Sequence, residues 1–250
     1  MYKKIFLAGF IAAVLFCSCK KETEELGADP LTEYMPLEKG KYIIYQLDSF
    51  RYVPQTLRPL TISYQVKYVV GDTTQDNSGR TAYKINRFIR ESAADDWTPD
   101  NTFMAVNTGT SIELVENNLR FIKLKAPVAQ DFTWKGNAYI NPINDDSLHY
   151  FFSYLDGWDY VYDSVNAPLT LGSITVENTV KVAQRDEVVG NPDDRNAYSE
   201  VNYGVEYYAK GIGMVYKRIL HSEYQPPVNS YGGYYSDNTA GATFTMIEHN

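Results

Sequence analysis

The chain is poor in the residues that most often build reactive centres. It has 2 Cys and 3 His in 250 residues, too few for a typical structural zinc site. Positive charge is also short: 23 Lys and Arg stand against 31 Asp and Glu, a formal net charge of −8. Nucleic acid is therefore not an expected partner, because phosphate neutralisation needs clustered cations. No apolar run reaches the roughly 20 residues that cross a bilayer as a helix, and no long helical period appears. His-x-x-x-His, Cys-x-x-Cys and Gly-x-Ser-x-Gly do not occur, so zinc-protease and serine-hydrolase chemistry has no motif support. What is abundant is tyrosine, 22 residues against 3 Trp and 11 Phe. A hydrophobic fraction of 44% with 22% charged residues is that of a globular chain, which excludes a disordered or collagen-like one.

The first nineteen residues are the most specific. Lys3 and Lys4 precede a 12-residue apolar stretch, Ile5 to Phe16, followed by Cys17-Ser18-Cys19-Lys20-Lys21-Glu22. The stretch is too short for a permanent span and fits the hydrophobic region of a secretory signal. A cysteine closing such a region behind a small residue resembles the bacterial lipoprotein signal. That resemblance implies cleavage before Cys19, acylation of Cys19, and a mature chain without a free thiol or a disulfide. Cys17 stands where that family prefers Ala, Ser or Thr. Several acyl chains, at about 0.8 kcal/mol per buried CH₂, anchor a protein stably. By the same resemblance, Lys20 rather than Asp after Cys19 implies the outer membrane. The charged run Lys20 to Glu25 resembles the surface-export signal of Bacteroidota lipoproteins, implying the cell surface, with the periplasmic face as the alternative.

Residues 1–18 are thus read as signal peptide and 19–33 as lipidated cysteine and flexible tether. Residues 34–250 are read as one β-rich domain. In Ile62–Val70 every even position is apolar or aromatic, which predicts a strand with one buried face. Thr81–Arg90 repeats the pattern less cleanly. Ser111–Glu116 and Leu119–Leu124 flank Asn117-Asn118, which predicts a two-residue type I′ hairpin, since Asn tolerates positive φ. That turn sets Leu114 opposite Phe121 and Glu113 opposite Ile122, and apolar residues on both faces suggest a hairpin covered on both sides. Further strands are expected at Tyr42–Leu47, Phe103–Asn107, Tyr150–Tyr154, Trp158–Asp163, Ser173–Arg185, Gly204–Tyr208, Gly213–His221 and Thr243–Glu248. A short helix is expected near Asp193–Glu200, after Pro192. The fold class is all-β with minor α: a single antiparallel β-sandwich, barrel or half-barrel.

Pro36-Leu37-Glu38-Lys39-Gly40-Lys41-Tyr42-Ile43-Ile44-Tyr45 resembles the Pro-Leu-x-x-Gly-x-Tyr-x-x-Tyr opening of many secreted Bacteroidota lipoproteins. Glu116–Leu124, Trp134–Asn137, Tyr208–Tyr216, Glu223–Pro227 and the terminal Thr245–Asn250 resemble further blocks of the same uncharacterised outer-membrane or surface family. The resemblance spans residues 36 to 250. It implies location and fold class and transfers no active site.

Few constellations suggest chemistry. His149, His221 and His249 are far apart in sequence. The acidic pairs Asp95-Asp96, Asp145-Asp146, Asp186-Glu187 and Asp193-Asp194 point to opposite faces if on strands, unlike a glycosidase pair. Asn141–Ser147 offers oxygen ligands for calcium but lacks the EF-hand spacing. No catalytic residue, metal site or cofactor is assigned. Trp158, Tyr160 and Tyr162 alternate, so they share one strand face that could stack on a sugar, or fill a core with Asp156, Asp159 and Asp163 outside. Tyr224 to Asn238 carries two Pro and two Gly, so its Tyr231, Tyr234 and Tyr235 belong to an exposed loop that could contact a partner or fold back over a barrel end. The expected function is a lipid-anchored, non-enzymatic binding or accessory protein, contacting outer-membrane lipid through acylated Cys19. A glycan, an apolar ligand or an outer-membrane protein would be its partner. The alternative is a hydrolase acting on cell-surface polymers.

Overall fold

The computed structural model describes residues 30–53, 56–140 and 152–250. The signal segment, Cys19, most of the tether, Asn141–Ser147 and His149 lie outside the described residues. Thirteen strands run β1 Tyr42–Tyr52, β2 Pro59–Gln75, β3 Thr81–Arg90, β4 Thr98–Asn107, β5 Ser111–Glu116, β6 Leu119–Lys125, β7 Thr133–Lys135, β8 Asp159–Leu171, β9 Ile174–Gly190, β10 Ser199–Ala209, β11 Gly213–Gln225, β12 Tyr234–Tyr235 and β13 Ala240–His249. They form one sheet of order β6-β5-β4-β3-β2-β1-β13-β11-β10-β9-β8-β7, with β12 paired to β11. Two antiparallel meanders, β1–β6 and β7–β11, are therefore joined by β13 between β1 and β11. The sheet curls into a nearly closed barrel; the all-β antiparallel class is as expected, and of the sandwich, barrel and half-barrel left open the barrel is the one formed.

Closure depends on what the edge strands β6 and β7 do with their exposed backbone groups, because an open edge invites pairing with other chains. The Ile122 N–H donates to the Gly136 carbonyl at 2.8 Å, and the Trp134 indole N–H donates to the Ile122 carbonyl at 2.8 Å. The Lys125 N–H donates to the Tyr162 phenolic oxygen at 2.9 Å, and the same hydroxyl donates to the Lys125 carbonyl at 2.8 Å. Three of these four bonds use the polar tips of aromatic side chains in place of ladder partners. Gly136 is needed at this seam: a Cβ there would lie 2.4 Å from the Tyr160 ring.

The hairpin between β5 and β6 turns at Asn117 (φ 52°) and Asn118 (φ 64°), and pairs Leu114 with Phe121 and Glu113 with Ile122, as expected. Ile112 faces the core while Glu113 is buried on the other side. Its carboxylate is enclosed by Arg80, Arg120 and Tyr139, so polar groups cover that face. Inside the barrel the largest core cluster joins Ile112, Leu124, Trp134, Trp158, Tyr160, Tyr162 and Tyr208. A second joins Tyr45, Val66, Val215, Phe244 and Met246.

Three expectations change. A short helix, α1 (Leu31–Tyr34), packs its Leu31 and Tyr34 into the core, so part of the segment read as tether belongs to the folded domain. Residues 153–155 form a 3₁₀ turn rather than the strand expected at Tyr150–Tyr154. The turn is held where the Tyr154 carbonyl accepts the Trp158 indole N–H. The helix expected at Asp193–Glu200 is absent. Asn191 and Asp194 side chains instead accept the backbone N–H groups of Asp193 and Asn196, and these Asx turns displace a helix before β10 begins.

Candidate functional site

Trp158, Tyr160 and Tyr162 share one face as the alternation predicted, but that face is the core. All three are at most 2% exposed. The Tyr162 and Trp134 ring centroids lie 4.7 Å apart, and the Tyr160 hydroxyl donates to Asn137 Oδ1 at 2.9 Å. Burial pushes the Tyr160 phenol well above its ordinary value, so it stays protonated and donates. Asp159 and Asp163 point outward and pair with Lys135 and Lys181. These rings are therefore unavailable to stack on a sugar, and the aromatic face of β8 is corrected to a packing surface.

The tyrosine-rich loop behaves differently. Tyr231 is 79% exposed, Val228 61% and Tyr234 49%. Val228 and Tyr231 exchange backbone hydrogen bonds at 3.1 and 3.0 Å, closing a tight turn in which Asn229 takes φ 55°. Only the third candidate ring is tucked in. Tyr235 stacks on Tyr52 with centroids 3.6 Å apart, and its hydroxyl accepts from Arg195 at 2.6 Å. The Arg195 carbonyl in turn accepts the Tyr224 hydroxyl. Four side chains thus tie the ends of β1 and β11 to β12 and to the β9–β10 connection. Gly233 permits this, because a Cβ there would lie 2.0 Å from the Tyr224 hydroxyl.

Sheet register shows how much apolar surface gathers there. Tyr52 opposes Pro59, Arg51 opposes Ala240, and Ser199 opposes both Tyr224 and Gly190. The β1–β2 turn, the β9–β10 connection and the loop between β11 and β13 therefore sit at one end of the barrel. Seven of the nine large hydrophobic residues exposed among the described residues lie at that end. They are Leu57, Val188, Val189, Tyr198, Val228, Tyr231 and Tyr234. Sequence reasoning found the tyrosine loop but missed Leu57, Val188, Val189 and Tyr198, whose convergence depends on sheet order. The chain enters at the opposite end, where the Glu33 carbonyl accepts the Gly211 N–H at 2.7 Å in the β10–β11 turn.

His221 is buried, stacked on Tyr154 at 4.1 Å, with Nδ1 2.7 Å from Asn202 Oδ1 and Glu200 Oε1 4.0 Å away. Burial pushes its pKa below 6.5. Among the described residues no group of three His, Cys, Asp or Glu is placed to hold a metal ion. Asp95 and Asp194 accept local loop hydrogen bonds, and Glu187 pairs with Arg185.

No protein-family model matches the chain, and no curated protein matches it. Among solved structures, it is similar to a "putative lipoprotein" from Parabacteroides distasonis at 13% identity. That likeness covers 87% of this chain and 98% of the other, with a TM-score of 0.38. It is also similar to a "putative exported protein with YmcC-like fold" from Bacteroides fragilis, at 13% identity over 84% and 97% of the two chains, TM-score 0.34. A DUF1329 family protein from Desulfovibrio piger is 8% identical over 86% and 87%, with a TM-score of 0.18. At these scores the likeness carries no ligand, partner or activity over to this chain.

Proposed function

We propose that this chain is an outer-membrane lipoprotein, acylated at Cys19, that binds a protein partner through the apolar rim at the end of the barrel away from the bilayer. One observation carries the reading: seven exposed large hydrophobic residues gather at the end opposite the chain entry. Single exposed apolar residues need no explanation, but a gathered set marks an interaction surface. The mixture favours protein over glycan, because Val188, Val189, Val228 and Leu57 neither stack on a sugar ring nor bond its hydroxyls. The stacked Tyr52–Tyr235 pair and Arg195 hold the rim in place before binding, which lowers the entropy lost on association.

Location supports the same orientation. Ten residues lie between Cys19 and Pro30, eleven steps of the chain, at most about 38 Å fully drawn out and about 18 Å as a coil. β10 alone spans about 33 Å. A coiled tether therefore keeps the chain-entry end close to the bilayer and leaves the rim free to face away from it. The part of a neighbouring outer-membrane protein that rises above the lipid is the partner this geometry suits.

The test is a mild-detergent pull-down of the mature lipidated chain beside a Val228→Ser, Tyr231→Ser, Tyr234→Ser variant. The reading expects one outer-membrane protein in near-stoichiometric amount with the wild type and its loss with the folded variant. An unchanged set of captured proteins, or capture by glycan columns alone, overturns it.

A further inference from the structure

The barrel lumen carries a feature the rim does not use. Glu116, Lys123, Glu206 and Lys217 meet inside it. Glu206 is fully buried; it accepts from Lys123 Nζ at 2.6 Å and from the Tyr208 hydroxyl at 2.7 Å. Burial alone would raise its carboxyl pKa, but the charges of Lys123 and Lys217 outweigh that and hold it below the ordinary value. Lys217 is less well served. Its ammonium lies 3.7 Å from Glu116 and 3.9 Å from Glu206, beyond hydrogen-bonding distance, although an ammonium carries three donors. The two carboxylates nonetheless keep it protonated against the cost of burial.

Lys217 and Lys123 help floor an apolar cup of about 90 Å³. Tyr45, Tyr68, Val70 and Phe103 help wall it, and Leu37 and Ile212 stand at its mouth, at the chain-entry end. We propose that this cup binds one small, uncharged, largely apolar molecule with a single hydrogen-bond acceptor, such as a ketone or ester, whose oxygen accepts from Lys217 Nζ. Size limits the ligand: the cup far exceeds the roughly 10–15 Å³ that holds one water but falls short of the roughly 150 Å³ that holds benzene. That gives room for about four non-hydrogen atoms inside, with a fifth reaching into the open mouth. Charge limits it too. Two lysines and two glutamates already cancel in the lumen, so an anion would add an unbalanced charge to a poorly solvated site. Lys41, the remaining cation of the lining, sits at the solvent edge and donates to the Asn250 carbonyl.

Saturation-transfer NMR on the full chain in lipid nanodiscs tests this, with 2-butanone and propionate as size-matched probes. The proposal expects transfer to 2-butanone and none to propionate. It expects loss of the signal in Ile212→Trp, which plugs the mouth, and about tenfold weaker binding in Lys217→Met, which removes a charged donor. Circular dichroism checks that each variant folds; should Lys217→Met unfold, the Ile212→Trp comparison alone decides. No transfer to 2-butanone, equal transfer to propionate, or an unchanged signal in Ile212→Trp overturns the proposal. None of these outcomes bears on the rim, which lies at the other end of the barrel.

Discussion

Tyr162→Phe isolates the seam that closes the barrel. The substitution keeps the ring and its packing against Trp134, 4.7 Å away, and deletes only the hydroxyl. That hydroxyl accepts from the Lys125 N–H at 2.9 Å and donates to the Lys125 carbonyl at 2.8 Å. A strand residue presents both backbone groups on the same side, so Lys125 loses both partners on the side away from β5. At roughly 1 kcal/mol for each bond lost, the expected cost is about 2 kcal/mol. In a domain of this size that lowers the melting temperature by about 4–8 °C. Tyr160→Phe is the control. It removes one hydroxyl bond, to Asn137 Oδ1, without touching the seam, and costs about half as much. Urea denaturation of the two variants beside the wild type reads the difference. Tyr162→Phe within about 0.5 kcal/mol of the wild type would refute the reasoning, since ring packing would then close the barrel unaided.

Further outcomes are expected. Lys123→Met leaves the buried Glu206 carboxylate with Lys217 at 3.9 Å as its remaining cation, and costs about 3–5 kcal/mol in urea denaturation. Adding Glu206→Gln removes the stranded charge, leaves Lys217 with Glu116, and recovers most of that loss. Because burial lowers the His221 pKa, the unfolded chain takes up a proton first as pH falls below about 6.5. The His221 contribution is therefore complete above that pH and lost below it, so the melting temperature drops between pH 7 and 5. His221→Gln flattens that drop, whereas the depressed carboxyls of Glu113 and Glu187 act only below about pH 4.5. Tyr231→Ser leaves stability within about 0.5 kcal/mol of the wild type, because its side chain is 79% exposed, and Tyr234→Ser, at 49% exposed, costs little more. Cys19→Ser abolishes incorporation of labelled fatty acid into the chain, since a serine hydroxyl offers no thiol to acylate.

Strand positions were legible because alternation reports which residues face the core. Ile62–Val70 and the Asn117-Asn118 turn are cases where propensity, pattern and tertiary structure agree. Strand ends were less legible. β2 continues to Gln75 past a register shift between Val70 and Thr73, where the alternation breaks. Aromatic content misled at Tyr150–Tyr154, since residues 153–155 wind into a turn that serves Trp158. The exposed tyrosines could be inferred from the Pro and Gly around them. Val188, Val189 and Leu57 could not, because only sheet order brings strand ends distant in sequence to one rim. The lumen charges were invisible for a related reason: Lys123 and Lys217 lie in strands distant in sequence, and only closure of the barrel brings them together with Glu116 and Glu206. Glu206, between Val205 and Tyr207-Tyr208, was the one signal available, a charge in the apolar second half of a strand whose other acid, Glu200, lies near its start.

Site-specific photocrosslinking in cells tests the central claim most directly. A photoreactive residue replaces Tyr231 on the rim, and in a second strain it replaces Ser173, in the exposed β8–β9 turn at the chain-entry end. The account predicts one discrete crosslinked protein from position 231 and none of that mass from position 173. The same product from both positions, or no protein product from position 231, would contradict it.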